Sequence, residues 1–243
     1  PAFKVAHSLA ALDSATYVSQ SVFEPKKILY FNLDEQKLLH EEFEEDRSIG
    51  AFSHSPYQYQ DDWFFFRPFH PVVYKMGKER LEVAFQFDFG KYNVPESYWE
   101  TENAMQAFTD LSQKGFISIA GFMMNDDYIV TELNQQTGME DSECYYLLGI
   151  KERHNGKWNW IRQRAEENKL IADNQPAPKV SNRPEWYAKK LKGFTQDGKL
   201  MIFLSGYELE RLTAKDRQLI QNPEILENAD PEMDMFLFLC SLK

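Results

Sequence analysis

The residues of this chain that could do chemistry are few, and the best candidates stand just before or within an aromatic block. Five histidines are scattered singly, and no His-x-x-x-His, Cys-x-x-Cys or His-Glu-x-x-His spacing is present. Folding could still bring His54 or His70 beside Asp61 or Asp62, where an imidazole and a carboxylate would share proton transfer or hold a metal. The sequence therefore allows a hydrolase or metal-dependent enzyme with its site in the loop 53–70. The missing ligand spacing predicts no bound metal, and an Asp-Asp pair before a strand is also typical of a turn.

Other nucleophiles and bases are isolated in the sequence. Cys144 and Cys240 stand in apolar runs typical of strands, which predicts buried thiols and leaves open whether the two pair. Ser205-Gly206 follows a strand but lacks the first glycine of the Gly-x-Ser-x-Gly elbow. Pro1 would offer a basic amine if it were the mature terminus, although removal of an initiator methionine gives the same start. No glycine-rich phosphate loop occurs, so we expect no cofactor.

The charge balance says more about partners than about reactions. The chain carries 27 basic and 38 acidic residues, a net charge of −11, with 43% hydrophobic residues. Nucleic acids are poor partners for such a chain, because phosphate binding requires clustered Lys and Arg. A basic protein partner suits the charge better, although an acidic chain can also simply be soluble. No apolar run is long enough to span a membrane, and the start does not have the pattern of a signal peptide. We therefore predict a cytoplasmic protein that has no membrane partner.

An acid-rich segment at 34–47 has the pattern of a helix. Asn32 or Asp34 can cap it, and Leu38, Leu39 and Phe43 supply apolar positions. Its other face would carry Glu41, Glu42, Glu44, Glu45 and Asp46. This face is either a solvated surface or a docking surface for a basic partner.

Aromatic residues complete the candidate partner-binding set. Trp158 and Trp160 alternate on one strand, next to a tight turn expected at Asn155-Gly156. They are either core residues or anchors of a protein-binding surface, where Trp and Tyr are enriched. The predicted partner-binding residues outside the acid-rich segment are Tyr57, Tyr59, Asp61, Asp62, Trp158 and Trp160.

The elements that must position these residues are mainly strands. Residues 81–89 alternate between apolar and polar side chains, which predicts a half-buried strand that forms a hairpin with 71–76. A helix is predicted over 95–114, because a proline opens it and a glycine follows it, and this helix is the expected cover for the phenylalanines of 81–89. The continuously apolar run 116–124 predicts a central strand.

The rest of the chain predicts more hairpins and a small lobe. Strands are expected at 128–133, 144–150 and 158–161, then a linker at 174–184. The lobe at 185–243 would contain a helix around 184–192, a strand at 200–204, a helix at 213–221 and a strand at 233–242. We predict a single α+β domain over 1–243, a mostly antiparallel sheet of consecutive hairpins with two or three helices packed on it.

The leading functional hypothesis is a non-enzymatic, acidic protein-interaction module that binds a basic protein. One concrete version is an immunity or antitoxin-type inhibitor of a basic nuclease. The alternative is the enzyme with its site in the loop 53–70, and a third reading, a subunit of a larger assembly, predicts an exposed apolar patch. The sequence leaves the partner and the oligomeric state open.

Overall fold

Antiparallel strands dominate the computed structural model of the chain. It describes residues 6–21, 28–42, 56–67, 69–98, 109–111, 113–138, 143–164, 191–206, 209, 214–228, 230 and 233–242. Four sheets follow one another along the chain, and within each sheet the strands lie side by side in chain order. Each sheet is thus a meander, which short turns between neighbouring strands make possible.

The strands of the first two sheets have the following bounds. Sheet 1 contains β1 (Ala6–Ala11), β2 (Thr16–Ser21), β3 (Ile28–Asn32) and β4 (Lys37–Glu42). Sheet 2 contains β5 (Tyr57–Tyr59), β6 (Asp62–Phe66), β7 (Val72–Met76) and β8 (Leu81–Gln86).

The strands of the last two sheets follow in the same manner. Sheet 3 contains β9 (Ile117–Met124), β10 (Tyr128–Gln136), β11 (Cys144–Glu152) and β12 (Trp158–Arg164). Sheet 4 contains β13 (Leu191–Phe194), β14 (Leu200–Ser205) and β15 (Met235–Cys240).

The predicted α+β class is wrong, because the described residues form several successive sheets and very little helix. The described α-helix is α1 (Ala214–Gln218), within the predicted helix 213–221. Short 3-10 helices occur at Gly90–Tyr92, Glu96–Tyr98 and Pro223–Leu226. No helix in the described part of the chain has the length and apolar character needed to cross a bilayer.

The acid-rich segment is the clearest error of secondary structure. The Asn32 side chain accepts a hydrogen bond from the Glu35 backbone N–H at 2.9 Å, as a helix cap would, but it closes a four-residue turn instead. Gln36 has a φ of 53°, a left-handed conformation that stops helical propagation. Lys37–Glu42 then pairs with β3 as β4, and residues 43–47 lie outside the described residues.

The chain divides into two compact units. The first comprises residues 1–122 and 135–138, and the second comprises residues 123–134 and 139–243. The expectation of one domain over 1–243 stays a prediction, and the linker at 174–184 lies outside the described residues. In the proposed lobe, the predicted helix 184–192 is wrong where it can be compared, because 191 and 192 belong to β13.

Sheets 1 and 2 share a buried core in the first unit. Its centre is formed by Ala10, Val18, Ile28, Tyr30, Phe65 and Met76, with Leu12, Trp63, Tyr74 and Leu81 packed at its margin. The Trp63 indole N–H also donates to the Ala11 carbonyl at 2.8 Å, so the margin is held by a polar contact as well. Opposed apolar faces therefore fix how these two sheets pack.

The predicted strand 81–89 ends earlier and packs differently from the expectation. The 71–76 hairpin is confirmed, but β8 stops at Gln86, and a bulge at Ala84 shifts its register against β7. Phe85 packs against Phe122 of β9, with ring centroids 5.1 Å apart, and Phe122 also meets Phe64 at 5.9 Å. The cover of this phenylalanine is therefore a strand residue, while the predicted helix 95–114 is helical at 96–98 and 109–111 and otherwise largely outside the described residues.

A charged turn links the two sheets of the first unit. Asp13 accepts hydrogen bonds from the backbone N–H groups of Ala15 and Thr16, at 3.0 and 2.7 Å, and its other oxygen lies 3.0 Å from the Lys78 ammonium. The two backbone donors and then Lys78 hold the pKa of the Asp13 carboxyl well below its usual range. The ionised form thus stabilises the β1–β2 turn.

We expect Asp13→Asn to change the acid dependence of folding. A carboxyl whose pKa is lowered by folding stabilises the native state above its unfolded pKa, about 3.9, and loses that contribution as pH falls through the folded pKa. The unfolding free energies of wild type and variant should therefore differ most above about pH 5, and the difference should shrink progressively as pH falls below about 4 towards the lowered folded pKa. Urea unfolding at several pH values measures this; a constant difference across the range would contradict it.

Candidate functional site

Two tryptophans form an exposed aromatic surface on the last strand of sheet 3. Trp158 and Trp160 of β12 stack with ring centroids 5.1 Å apart and an angle of 20° between the rings. Both side chains project from one face of the strand because side chains alternate with a period of two. The Trp160 side chain is 45% exposed. This pair is the alternation predicted from the sequence, placed at the surface and not in the core.

A glycine of the neighbouring strand makes room for the pair. Gly149 of β11 lies directly opposite Trp160 in the register. A Cβ atom built at Gly149 would stand 2.5 Å from the nearest ring carbon of Trp160, closer than van der Waals contact allows. The indole therefore lies flat over the bare backbone of β11, and the absence of a side chain at 149 sets its position.

A cation already lies against this surface. The Lys151 ammonium stands 5.8 Å from the ring centroid of Trp158, its cross-strand partner. This distance is within the range of cation–π attraction. The face of the tryptophan pair can thus receive a positively charged group as well as apolar surface.

The turn beside the pair differs from the expected one. Lys151 pairs with Trp158, so the loop is longer than a two-residue hairpin. Gly156 has a φ of 71° and donates its N–H to the Glu152 carbonyl at 3.1 Å. The tight turn predicted at Asn155-Gly156 would be a two-residue type I′ turn with both residues left-handed; that prediction is wrong, because of the two only Gly156 has a positive φ.

The predicted acidic face is not assembled in the described residues. Glu41 and Glu42 are consecutive on β4 and therefore project to opposite sides of sheet 1. The Glu42 carboxylate accepts a hydrogen bond from the Leu81 backbone N–H at 3.2 Å and so links sheets 1 and 2. Glu44, Glu45 and Asp46 lie outside the described residues.

The other predicted partner-binding residues of the first unit surround one short hairpin. Tyr57 and Tyr59 belong to β5, and Tyr59 pairs with Asp62 across the hairpin. Asp61 is a turn residue, as the alternative reading of the Asp-Asp pair expected. The Asp62 carboxylate lies 2.8 Å from the Lys75 ammonium. One of the predicted acidic groups therefore already forms an ion pair within the chain.

The described residues of the alternative enzyme site do not come together. Asp62 begins β6 and His70 follows its end, so about four residue steps, roughly 13 Å, separate the two ends of the strand. His54 lies outside the described residues. Among the residues that the structure describes, no three His, Cys, Asp or Glu side chains are placed to hold a metal ion. Cys144 and Cys240 are free thiols.

Sequence reasoning missed one titratable cluster in the first unit. Tyr30 and His40 are cross-strand partners of β3 and β4, and their rings stack at 4.1 Å. The Tyr30 hydroxyl and the His40 Nε2 are buried without hydrogen-bond partners, and His40 Nε2 stands 3.9 Å from Glu42. Burial, then the negative charges of Glu42 and Glu82, raises the pKa of Tyr30. Only the β3–β4 register brings these side chains together, so no local sequence signal could have found them.

Propeller blades are sheets of this kind, antiparallel meanders of about four neighbouring strands that follow one another along the chain. A model of the 6-bladed beta-propeller family (DUF5128) matches residues 13–158, more than half of the chain. The chain therefore belongs to this family, whose match covers all of sheet 2 and most of sheets 1 and 3. The α+β prediction is overturned by this match as well as by the strands themselves.

One solved structure, from Bacteroides fragilis, provides a further comparison. The protein in that structure is named as an inferred exported protein. The two sequences are 12% identical, the TM-score is 0.49, and the alignment covers 98% of this chain and 78% of that chain. No curated protein sequence matches the chain.

Two predictions, on location and on function, are not carried forward. We withdraw the cytoplasmic location, which nothing in these comparisons supports. The immunity-protein version of the functional hypothesis is not pursued, because the match to the propeller family lends it no support. Neither comparison tests whether the chain binds a basic partner.

Proposed function

We propose that the chain is a non-enzymatic binding module whose tryptophan pair, Trp158 and Trp160, anchors a basic segment of a protein partner. The observation that carries this proposal is the half-exposed Trp160, stacked on Trp158 and seated over Gly149. Large aromatic groups with restricted rotamers are the usual anchors of protein interfaces, because they bury much area at little cost in conformational entropy.

The electrostatics support a cationic partner. The net charge of −11 attracts basic proteins over distances of about one Debye length, roughly 8–10 Å at physiological salt. At contact, an arginine or lysine side chain of the partner would lie over the exposed indole, as Lys151 already lies over Trp158. Charge would then speed the encounter, while the aromatic surface would supply most of the binding energy.

Peptide titration tests this function. The probe is an arginine-rich peptide, and its control is a peptide of the same length with glutamine at every arginine. Calorimetry should show binding of the basic peptide alone, and binding should weaken as salt rises. Trp160→Ala should weaken it about tenfold or more, the loss expected for an interface anchor, whereas Trp160→Phe should retain most of the affinity.

Tyr92 provides a matched control residue. It is also an exposed aromatic with a lysine, Lys91, over its ring at 5.1 Å, but it is the last residue of the 3-10 helix Gly90–Tyr92, and no second ring stacks on it among the described residues. Tyr92→Ala should leave peptide binding unchanged. Equal binding of the basic and neutral peptides, or full affinity in Trp160→Ala, would overturn the proposal.

A further inference from the structure

The exposed part of the tryptophan pair is a ring surface without walls. Trp158 and Trp160 stack with an angle of only 20° between their ring planes. Among the described residues, no further ring stands across the half-exposed Trp160 to enclose a ligand. An aromatic cage for an ammonium group needs rings that meet at large angles around the cation. Two nearly parallel rings instead offer a flat face.

The neighbouring strand adds no carboxylate to this surface. Residues directly opposite in antiparallel strands project to the same side of the sheet. On β11, the residues on the side of the tryptophans are Lys151, Gly149 and Leu147. One is a cation, one has no side chain and one is apolar. A positive group that binds to Trp160 therefore finds no anion on this part of β11 to replace the water that it gives up.

We propose that the tryptophan pair selects arginine over lysine in the basic segment that it binds, an inference that rests on the proposed function of the pair. The guanidinium group is planar and weakly hydrated, so it can lie parallel to the Trp160 ring while its N–H groups stay in water at its edge. The ammonium group of lysine is compact and strongly hydrated. Its loss of water at the ring is not offset where no anion stands beside it.

Lys151 shows how an ammonium group lies against these rings. Its nitrogen is 5.8 Å from the Trp158 centroid, close to the outer limit of about 6 Å for cation–π attraction. The attraction is thus at the weak end of its range, although strand pairing places this lysine directly opposite the ring. A lysine of the partner has no such tether. A stacked guanidinium brings the faces of two planar groups into contact and forms a third layer on the pair.

Two peptides of equal charge test the preference. They have the same length and the same spacing of basic residues, with arginine at every basic position in one and lysine in the other. Calorimetry with the full chain should show at least about fivefold tighter binding of the arginine peptide. Equal affinities would overturn the preference and leave the proposed function standing. Absence of binding by either peptide would overturn both.

The preference should depend on the Trp160 ring. In Trp160→Leu, which keeps an apolar side chain but removes the aromatic face, the two peptides should bind with nearly equal affinity. Trp160→Phe should retain part of the preference, and Tyr92→Ala should retain all of it, because Tyr92 lies outside the pair. An undiminished preference in Trp160→Leu would show that arginine is recognised elsewhere, and would overturn the proposal.

A third peptide, trimethylated at every lysine, separates a flat surface from a cage. Methylation keeps the positive charge of lysine, and quaternary ammonium groups are the ligands that aromatic cages recognise. On a flat surface we expect this peptide to bind less tightly than the arginine peptide. Tighter binding of the trimethylated peptide would identify a cage and overturn the proposal.

Discussion

Replacing Gly149 by alanine should weaken binding of the basic peptide about tenfold or more, without changing any residue that contacts it. The new methyl group would stand 2.5–2.9 Å from three ring carbons of Trp160, so the indole must leave its position over β11. That movement breaks the stack with Trp158 and removes the flat surface that we propose as the anchor. Because the clash involves the end of a side chain at the surface, stability should fall by only about 1 kcal/mol.

A double-mutant cycle gives the sharpest reading of this result. If alanine at 149 acts by displacing Trp160, it should have no further effect on binding once Trp160→Ala has removed the ring. Calorimetry of the four proteins with the same arginine-rich peptide measures the coupling, and thermal unfolding checks that each variant is folded. Additive losses in the double variant would show that Gly149 acts on binding by another route.

Phe122→Ala should destabilise the protein by about 3–5 kcal/mol, the largest stability change that we predict. Phe122 is only 3% exposed and packs against Phe64 and Phe85, so the truncation leaves a cavity between β9 and sheet 2. The measurement is urea unfolding followed by circular dichroism, with the midpoint and the slope determined separately.

Val83 of β8 is the appropriate control for this prediction. It is a neighbour of Phe85 in the same strand and equally apolar, but its side chain is 63% exposed. Val83→Ala should therefore change stability by less than about 0.5 kcal/mol. If the two variants lost similar amounts of stability, β8 would not pack mainly through Phe85. Val83 and Phe85 would then be equally buried, as the alternating sequence pattern indicated.

Strands were predictable where the pattern of apolar side chains is regular. The apolar run at 116–124 and the alternation at 81–89 both became strands, because their side-chain pattern suits a sheet whatever lies around it. The helix predicted at 34–47 is wrong over 34–42, the part that the structure describes, because one of its signals, the capping side chain of Asn32, serves a turn and a helix equally well. Pairing with β3 makes residues 37–42 a strand, and the local sequence does not indicate that pairing.

The grouping of strands into several sheets was not predictable from the same patterns. A loop that leads to the next sheet has the same composition as a loop that leads to the next strand, so consecutive hairpins were read as one continuous sheet. The break between sheets depends on packing, for example on the buried core to which sheet 1 contributes Tyr30 and sheet 2 contributes Phe65. Such contacts join residues that are far apart in the chain.

The candidate site was predicted in part. The alternation of Trp158 and Trp160 predicts both rings on one face, as observed, but the pattern does not show that Trp160 is exposed while Trp158 is partly buried. The roles of Gly149 and Lys151 required the β11–β12 register, which the misjudged turn at Asn155-Gly156 would have shifted. His70 and Asp62 are near each other in sequence, but the strand β6 separates them in space.

The meander within each sheet has a consequence for how the molecule folds. Because every strand in the described part of the chain pairs with its neighbour in sequence, most hydrogen-bonded partners are close in sequence, and the entropy lost in closing each loop is small. Low contact order favours rapid formation of each sheet. Sheet 1 could therefore form while later sheets are still being synthesised on the ribosome, and its apolar face would wait exposed until Phe65 and Met76 of sheet 2 emerge to cover it.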